Sequence, residues 1–211
     1  MGIFGLFVLA LIQTGCQSTP KSEPTVKGDI GSAEGQWRGK ALARNLVTGK
    51  SGVLDIEIIA REPNQLRMEI TGSFSTPIAS IAMNGSEVRY ILSQEKRFVS
   101  APAGADTFSR LVPVHIPPAA LLAVLFDRDL PAGDWTCDRD AATHLVSFCA
   151  YKTEDVGVKW LERNGRNRRL KILSKDAEIE LVLDEAKSKV EPGPNVFTLT
   201  PPDGYKRERA K

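Results

Sequence analysis

Five side chains in this 211-residue sequence are thiols or imidazoles, which can act as nucleophiles, general bases or ligands of soft metals. They are the three cysteines and the two histidines: Cys16, His115, Cys137, His144 and Cys149. Cys137 and Cys149 flank a predicted β-hairpin, and residues that face each other across an antiparallel pair come within reach of a disulfide. A metal site made of Cys137, His144 and Cys149 is the alternative, although this spacing matches no standard zinc motif and lacks an evident fourth ligand. The sequence therefore predicts a Cys137–Cys149 disulfide, with the metal site as the less favoured alternative.

Catalytic motifs are missing from the sequence. It contains no nucleophile elbow, no glycine-rich phosphate loop and no HExxH pair, and neither histidine has a spacing to carboxylates that singles out a dyad. A formal net charge of +2 gives no argument for a nucleic-acid partner. We therefore predict a monomeric protein that is not an enzyme, needs no cofactor and does not bind nucleic acid.

The amino terminus predicts export and a lipid anchor. Residues Ile3 to Ile12 are ten consecutive apolar residues, a length typical of a signal peptide and short for a transmembrane helix. They end at Gln13-Thr14-Gly15-Cys16, which resembles the bacterial lipobox, in which the cysteine is acylated and becomes the new amino terminus. An ordinary signal peptide or a buried first strand is the alternative. Gln17, in place of Asp, favours the outer membrane by resemblance to sorting rules in enteric bacteria.

The composition and the placement of turn-forming residues predict a mostly β fold after this segment. Residues 17 to 35 are rich in Pro, Ser, Gly and charge and lack an apolar period, so they read as a flexible tether. Beyond them, short runs of Val, Ile, Leu and Thr are separated by turn signals such as Asn84-Gly85 and Asn164-Gly165. The predicted strands are 36–45, 52–61, 66–71, 77–83, 87–92, 97–100, 134–138, 145–152, 157–163, 168–173 and 178–183.

One region, Asp106 to Phe126, is predicted to be helical, with its second helix starting after Pro117-Pro118. This second helix is apolar on every side, so it must be covered all round, and the concave face of a curved sheet is the natural place for it. The segment Lys159 to Lys171 has a net charge of +5. It is interpreted either as a solvated β-edge or as a face toward anionic lipid, and the first is favoured.

Several short phrases, in this order, resemble the lipoprotein-localisation family of the periplasmic LolA carrier and the outer-membrane LolB receptor. The phrases are LRMEITGSF at 66–74, the strands around Asn84-Gly85, VHIPPAALL at 114–122 and FTLTPPDGY at 197–205, the last of which resembles the family's closing strand. The resemblance implies a mainly β (α+β) fold, a curved antiparallel half-barrel of about ten strands with a short helical lid. It divides the chain into a signal peptide (1–15), a lipidated tether (16–35) and a single domain (36–211).

The resemblance also implies a function and the residues that carry it. It implies an outer-membrane lipoprotein, anchored through Cys16 and facing the periplasm, that binds acyl chains or lipoproteins in an apolar cavity and aids their localisation, with a periplasmic carrier as a candidate partner. Phe74 becomes the candidate for insertion into a membrane. The candidates for lining the cavity are Trp37, Leu121, Leu122, Leu125, Phe126 and Trp160. The alternative is a structural or interaction lipoprotein of the same fold with a filled cavity.

Overall fold

The computed structural model describes residues 34–104, 107, 114–130, 134–152, 155–187, 193 and 195–209. Within these residues the chain forms twelve strands and one α-helix, α1 (Pro118–Leu125). The strands are β1 (Glu34–Asn45), β2 (Ser51–Arg61), β3 (Gln65–Thr71), β4 (Pro77–Asn84), β5 (Glu87–Leu92), β6 (Arg97–Pro102), β7 (Trp135–Arg139), β8 (Val146–Tyr151), β9 (Val156–Asn164), β10 (Asn167–Ser174), β11 (Ala177–Lys187) and β12 (Lys206–Arg209).

All twelve strands belong to one open, curved sheet in the order β12-β6-β5-β4-β3-β2-β1-β11-β10-β9-β8-β7. Neighbouring strands are antiparallel except for β12, which pairs with β6 in parallel. The tight turns are set by glycines in the left-handed region, such as Gly85 (φ 68°) after β4 and Gly165 (φ 58°) after β9. Because most of the sheet is a meander, every second turn lies at the same end of the strands.

The main hydrophobic core lies between the concave face of this sheet and α1. Pro117 and Pro118 start the helix, where a missing N–H costs nothing. The helix is then apolar throughout, and six of its eight residues are buried. Because the concave face of the sheet supplies apolar side chains around it, a helix with no polar face is stable here, as the sequence predicted. Within the described part of the chain, no helix is both long enough and apolar enough to span a bilayer.

The convex face carries a second, smaller apolar cluster. Ala82, Ile91, Phe98 and Leu199 form it, with Tyr205 packed against it. Residues 195–205 therefore lie across the outside of the sheet before β12 pairs with β6. This segment covers part of the convex face and one edge strand.

The structure confirms the curved antiparallel sheet and the short helix, and it corrects three details. The sheet has twelve strands, not about ten. The expected closing strand at 197–205 is irregular, and strand pairing starts only at Lys206. Strand β1 begins at Glu34, so the last two residues assigned to the tether belong to the sheet. The signal peptide, Cys16 and the rest of the tether lie outside the described residues, as does most of the helical region predicted before Val114.

Candidate functional site

The inward-facing side chains of β1 become smaller along the strand, and this leaves an apolar cavity on the concave side of the sheet. Every second residue of this strand faces the core, in the order Trp37, Gly39, Ala41, Ala43, so the side chains shrink toward the end of the strand. The two alanines leave space that neighbouring strands do not fill. At Gly39 a Cβ atom would lie 1.8 Å from the backbone oxygen of Val182, so only glycine permits the approach of β11.

The cavity has a volume of about 80 Å³. Strands β1 to β4, β10 and β11 form its walls, and Ile116 and Leu121 close it from the side of α1. Each wall residue is aliphatic or methionine: Ala41, Ala43, Leu54, Ile56, Ile58, Met68, Ile70, Ile81, Ile116, Leu121, Ile172, Ile179 and Leu181. A site without charge or hydrogen-bonding side chains can bind a hydrocarbon.

The cavity is closed at one end and reaches the surface at the other. Ile58 and Ile81 are fully buried at the closed end. Ala43, Leu54 and Ile70 are only half-buried, and they lie where β1 ends, β2 begins and β3 ends. We call this end of the strands the mouth edge. It consists of the β1–β2 turn (46–50), the β3–β4 loop (72–76), the β5–β6 turn (93–96), the described ends of the β8–β9 loop (152 and 155) and the β10–β11 turn (175–176).

An aromatic and arginine cluster seals the opposite end, which we call the rear edge. The Trp37 ring packs edge-on against Phe126 at 5.4 Å between centroids, and its Nε1 donates a hydrogen bond to the Arg166 carbonyl oxygen at 3.0 Å. The Arg166 guanidinium lies over both rings, 5.0 and 5.7 Å from their centroids. Its Nη1 is 2.7 Å from Oε1 of Glu185, a contact that is an ion pair without hydrogen-bond alignment.

Ion pairs hold the carboxyl end of α1 to the same rear edge. Arg128 makes a two-pronged contact with Glu62, at 3.1 and 3.0 Å. Nε of Arg163 lies 2.9 Å from Oδ1 of Asp127. Burial lowers the pKa of the nearby Arg168 guanidinium, against a smaller opposing effect from Asp127. The helix is therefore fixed at its carboxyl end, while its first turn covers the cavity.

Of the six residues proposed to line the cavity, Leu121 does so. The other five are buried core residues of the described chain that do not form its wall: Trp37, Leu122, Leu125, Phe126 and Trp160. Trp37 and Phe126 seal the rear edge, and Trp160 packs below Arg163. Large residues mark where space is filled, so the sequence signal for the cavity was the small residues of β1.

Phe74 stands fully exposed at the mouth edge, with a relative accessibility of 102%. It occupies the tip of a turn closed by the Thr76 amide, which donates a hydrogen bond to the Ser73 carbonyl oxygen at 3.3 Å. Both central residues of this turn, Phe74 and Ser75, have φ of 56°. Glycine and asparagine favour this conformation, and a phenylalanine there is strained.

The structure joins Cys137 and Cys149 by a disulfide across β7 and β8, where the two residues are direct cross-strand partners. Neither sulfur is then available as a thiolate, which removes the alternative metal site with His144. No cluster of metal-ligating side chains occurs among the described residues.

The basic segment at 159–171 is largely neutralised by cross-strand carboxylates. Arg169 contacts Glu162 and Glu180, and Lys171 contacts Glu178. The hydrogen bond from Arg169 lowers the pKa of the Glu180 carboxyl, and Glu178 raises the pKa of Lys171. This pairing fits the interpretation of a solvated, charged surface.

The architecture matches a solved structure. The chain superposes on the crystal structure of a LolA superfamily protein from Nitrosomonas europaea with a TM-score of 0.53, covering 82% of this chain and 94% of that chain at 8% sequence identity. The protein has a LolA/LolB-like fold. At this identity, the likeness of the two proteins is one of fold alone. No protein-family model and no curated protein matches the sequence.

Proposed function

We propose that the protein is an outer-membrane lipoprotein, anchored through an acylated Cys16 and facing the periplasm, that takes acyl chains of lipids or lipoproteins into its cavity and aids their localisation. One observation carries the proposal: a cavity with purely apolar walls opens at the same edge that presents Phe74 to solvent. Burial of hydrocarbon contributes about 0.8 kcal/mol per methylene, so binding of this kind requires no catalytic group. A periplasmic carrier of the same fold is the natural donor of such a cargo.

Uptake of a long chain requires α1 to move. The cavity volume of about 80 Å³ is smaller than the roughly 300–1,000 Å³ of typical ligand sites. The ion pairs of Arg128 with Glu62 and of Arg163 with Asp127 fix the carboxyl end of α1. Leu121 lies in the first turn and covers the cavity. We therefore expect the helix to swing outward at its first turn, which would open the cavity from the mouth edge.

The decisive experiment measures chain uptake with the mouth closed. Ala43 is half-buried at the mouth, so Ala43→Phe places a ring in the opening without disturbing the buried end. We expect uptake of a fluorescent fatty acid to fall at least tenfold in this variant. Thr136→Phe adds the same ring to an exposed position of β7 and serves as the matched control. Equal uptake by Ala43→Phe and the control would contradict binding in this cavity.

The narrow cavity itself favours a second function, that of a structural or interaction lipoprotein whose interior is filled. Native mass spectrometry of protein purified without harsh detergent separates the two. Copurifying lipid supports the first function. A lipid-free protein that takes up no fatty acid, yet is recovered with one stable envelope protein, supports the second.

The anchor has its own test. Metabolic labelling with palmitate should mark the wild-type protein and not Cys16→Ser, and the variant should move from the membrane fraction to the soluble periplasmic fraction. Labelling that persists in Cys16→Ser would show that the anchor is elsewhere.

A further inference from the structure

One buried cation at the rear edge has no carboxylate partner among the described residues. Arg168 is 3% exposed, and its Nη1 donates to the carbonyl oxygens of Gly165 and Asn167 at 2.6 and 2.9 Å. Its Nε is buried without an acceptor. Burial lowers the pKa of this guanidinium, but an arginine side chain stays charged in a protein. Arg168 is therefore a buried positive charge that neutral carbonyl groups satisfy only in part.

The carboxylates that act on Arg168 are each held by another arginine. Asp127 lies 2.9 Å from Arg163, and Glu185 lies 2.7 Å from Arg166. Three arginines against two carboxylates leave this buried cluster with a net charge of +1. A buried charge without a partner is costly, so an anion that binds here is stabilised. Two further one-to-one pairs lie along the same edge: Arg61 with Glu34 and Arg128 with Glu62.

A second buried donor lies beside Arg168 on the concave face of the sheet. Trp160 is 6% exposed, and its indole Nε1 has no acceptor in the described part of the chain. Arg168 is the cross-strand partner of Arg163, whose guanidinium lies 5.0 Å from the centroid of the Trp160 ring. The two donors therefore lie on adjacent strands around Arg163. A carboxylate has two oxygens and one negative charge, which match the two donors and the net charge of the cluster.

The inward face of β10 connects this cluster to the apolar cavity. Arg168, Leu170 and Ile172 alternate on that face and are buried, and Ile172 belongs to the cavity wall. At about 3.3 Å per residue, Arg168 lies about 13 Å from Ile172 along the strand. On β11, Leu183 and Leu181 are the partners of Arg168 and Leu170, and Leu181 also belongs to the wall. A hydrocarbon chain whose acidic end contacts Arg168 therefore reaches the cavity over leucine side chains.

We propose that the rear edge binds the carboxylate of a long-chain fatty acid, with Arg168 as its ion-pair partner and Trp160 Nε1 as a second donor. In this arrangement the hydrocarbon chain runs under α1 into the cavity, and it enters from the side when the first turn of the helix is displaced. This inference rests on the proposed function and names one ligand of the cavity, a free fatty acid. The phosphate of a single-chain phospholipid offers similar oxygens, but a phosphate monoester carries close to two negative charges, which exceeds the net charge of the cluster.

The test compares palmitate with hexadecanol, which has the same chain length and no charge. Isothermal titration calorimetry measures both affinities for the full chain carrying Cys16→Ser, freed of copurifying lipid. We expect palmitate to bind at least tenfold more tightly than hexadecanol, because only palmitate pairs with a buried guanidinium. Lysophosphatidate with the same chain should bind less tightly than palmitate. Equal affinities for palmitate and hexadecanol would overturn the proposal, and tighter binding of lysophosphatidate would overturn the assignment to a carboxylate.

Substitutions of Arg168 separate ligand binding from a structural role. Arg168→Met should remove the preference for palmitate over hexadecanol, whereas Arg168→Lys should retain part of it. Arg169→Gln is the matched control, because Arg169 is the next residue of β10, is exposed and contacts Glu162 and Glu180. This control should keep the full preference. If Arg168→Met lowers the melting temperature but keeps the preference, Arg168 only supports the β9–β10 turn and the proposal is wrong.

The indole N–H of Trp160 gives a readout that needs no substitution. In a two-dimensional proton–nitrogen spectrum, its resonance should move downfield with palmitate and less with hexadecanol, because the carboxylate is the stronger acceptor. Trp135 packs against Tyr151 near the other end of the sheet and should move with neither ligand. A Trp160 resonance that palmitate leaves in place would contradict its role as a donor.

The variant Ala43→Phe distinguishes the failure of this inference from the failure of the proposed function. If palmitate and hexadecanol bind equally and Ala43→Phe blocks both, the carboxylate site is wrong and the cavity function stands. If palmitate keeps its preference and Ala43→Phe has no effect, the carboxylate site stands and the cavity function is wrong.

Discussion

Phe74→Asn should make the folded protein more stable and its membrane contact weaker. Phe74 is fully exposed, so its replacement removes no packing contact. Its backbone has φ 56° and ψ 33°, a conformation that costs a residue with a bulky side chain about 1–2 kcal/mol and that asparagine tolerates. We therefore expect the free energy of unfolding to rise by about 1 kcal/mol, which raises the melting temperature by about 2–4 °C for a domain of this size.

The same substitution should weaken binding to vesicles. Transfer of a phenylalanine side chain from water to an apolar phase contributes about 1.5–3 kcal/mol, so the partition constant of the Cys16→Ser chain should fall about 10- to 150-fold. Thermal melts and vesicle flotation of the same preparations measure both effects. Phe74→Trp is the matched control and should retain binding.

A buried phenylalanine should behave in the opposite way. Phe197 is 7% exposed and lies below the Arg61 guanidinium, so Phe197→Ala should lower the free energy of unfolding by about 3–5 kcal/mol. If Phe74→Asn also lowers the melting temperature, Phe74 packs against the protein in solution and the reasoning is refuted. Unchanged vesicle binding would refute its membrane role.

Three further substitutions test the frame of the site. Replacing Cys137 and Cys149 by alanine opens a loop with a sequence separation of 12, so the free energy of unfolding should fall by about 3 kcal/mol in a thermal melt, and reductant should then have no further effect. Gly39→Ala places a Cβ atom 1.8 Å from a carbonyl oxygen of β11, so the free energy of unfolding should fall by about 3 kcal/mol in the same assay. Gly52→Ala is the control and should change it little, because nothing lies within 4 Å of a Cβ atom there. The hydrogen bond from Arg97 lowers the pKa of the Glu208 carboxyl below its ordinary value of 4.5. The ionised carboxylate therefore contributes to stability at pH values above 4.5, and this contribution is lost as the pH falls through the lowered pKa. Hydrogen exchange should show β12 losing protection on acidification, and Glu208→Gln should show low protection of β12 at neutral pH already.

Local signals in the sequence predicted most of the strands. The alternation in β1 to β3 and the turns at Gly85 and Gly165 are properties of adjacent residues. The strand limits therefore agree with the prediction within about two residues, except that β11 continues to Lys187, four residues beyond its predicted end. The signal for the helix after Pro117 was also local, since it depended on neighbouring residues only. Strand β12 was missed because Lys206 to Arg209 has no apolar alternation, and its pairing with β6 joins residues more than 100 positions apart.

The candidate site divides in the same way. By itself, the sequence determined which residues face inward, that the helix had to be covered, and that Cys137 and Cys149 would face each other across a hairpin. The tertiary structure alone decided that Trp37 and Phe126 fill the rear edge, while Ala41 and Ala43 leave a void. It also decided that Ile116 and Leu121 close this void from the side of the helix. The physical reason is that a cavity or a composite surface depends on side chains from distant strands, and periodicity describes only neighbours along the chain.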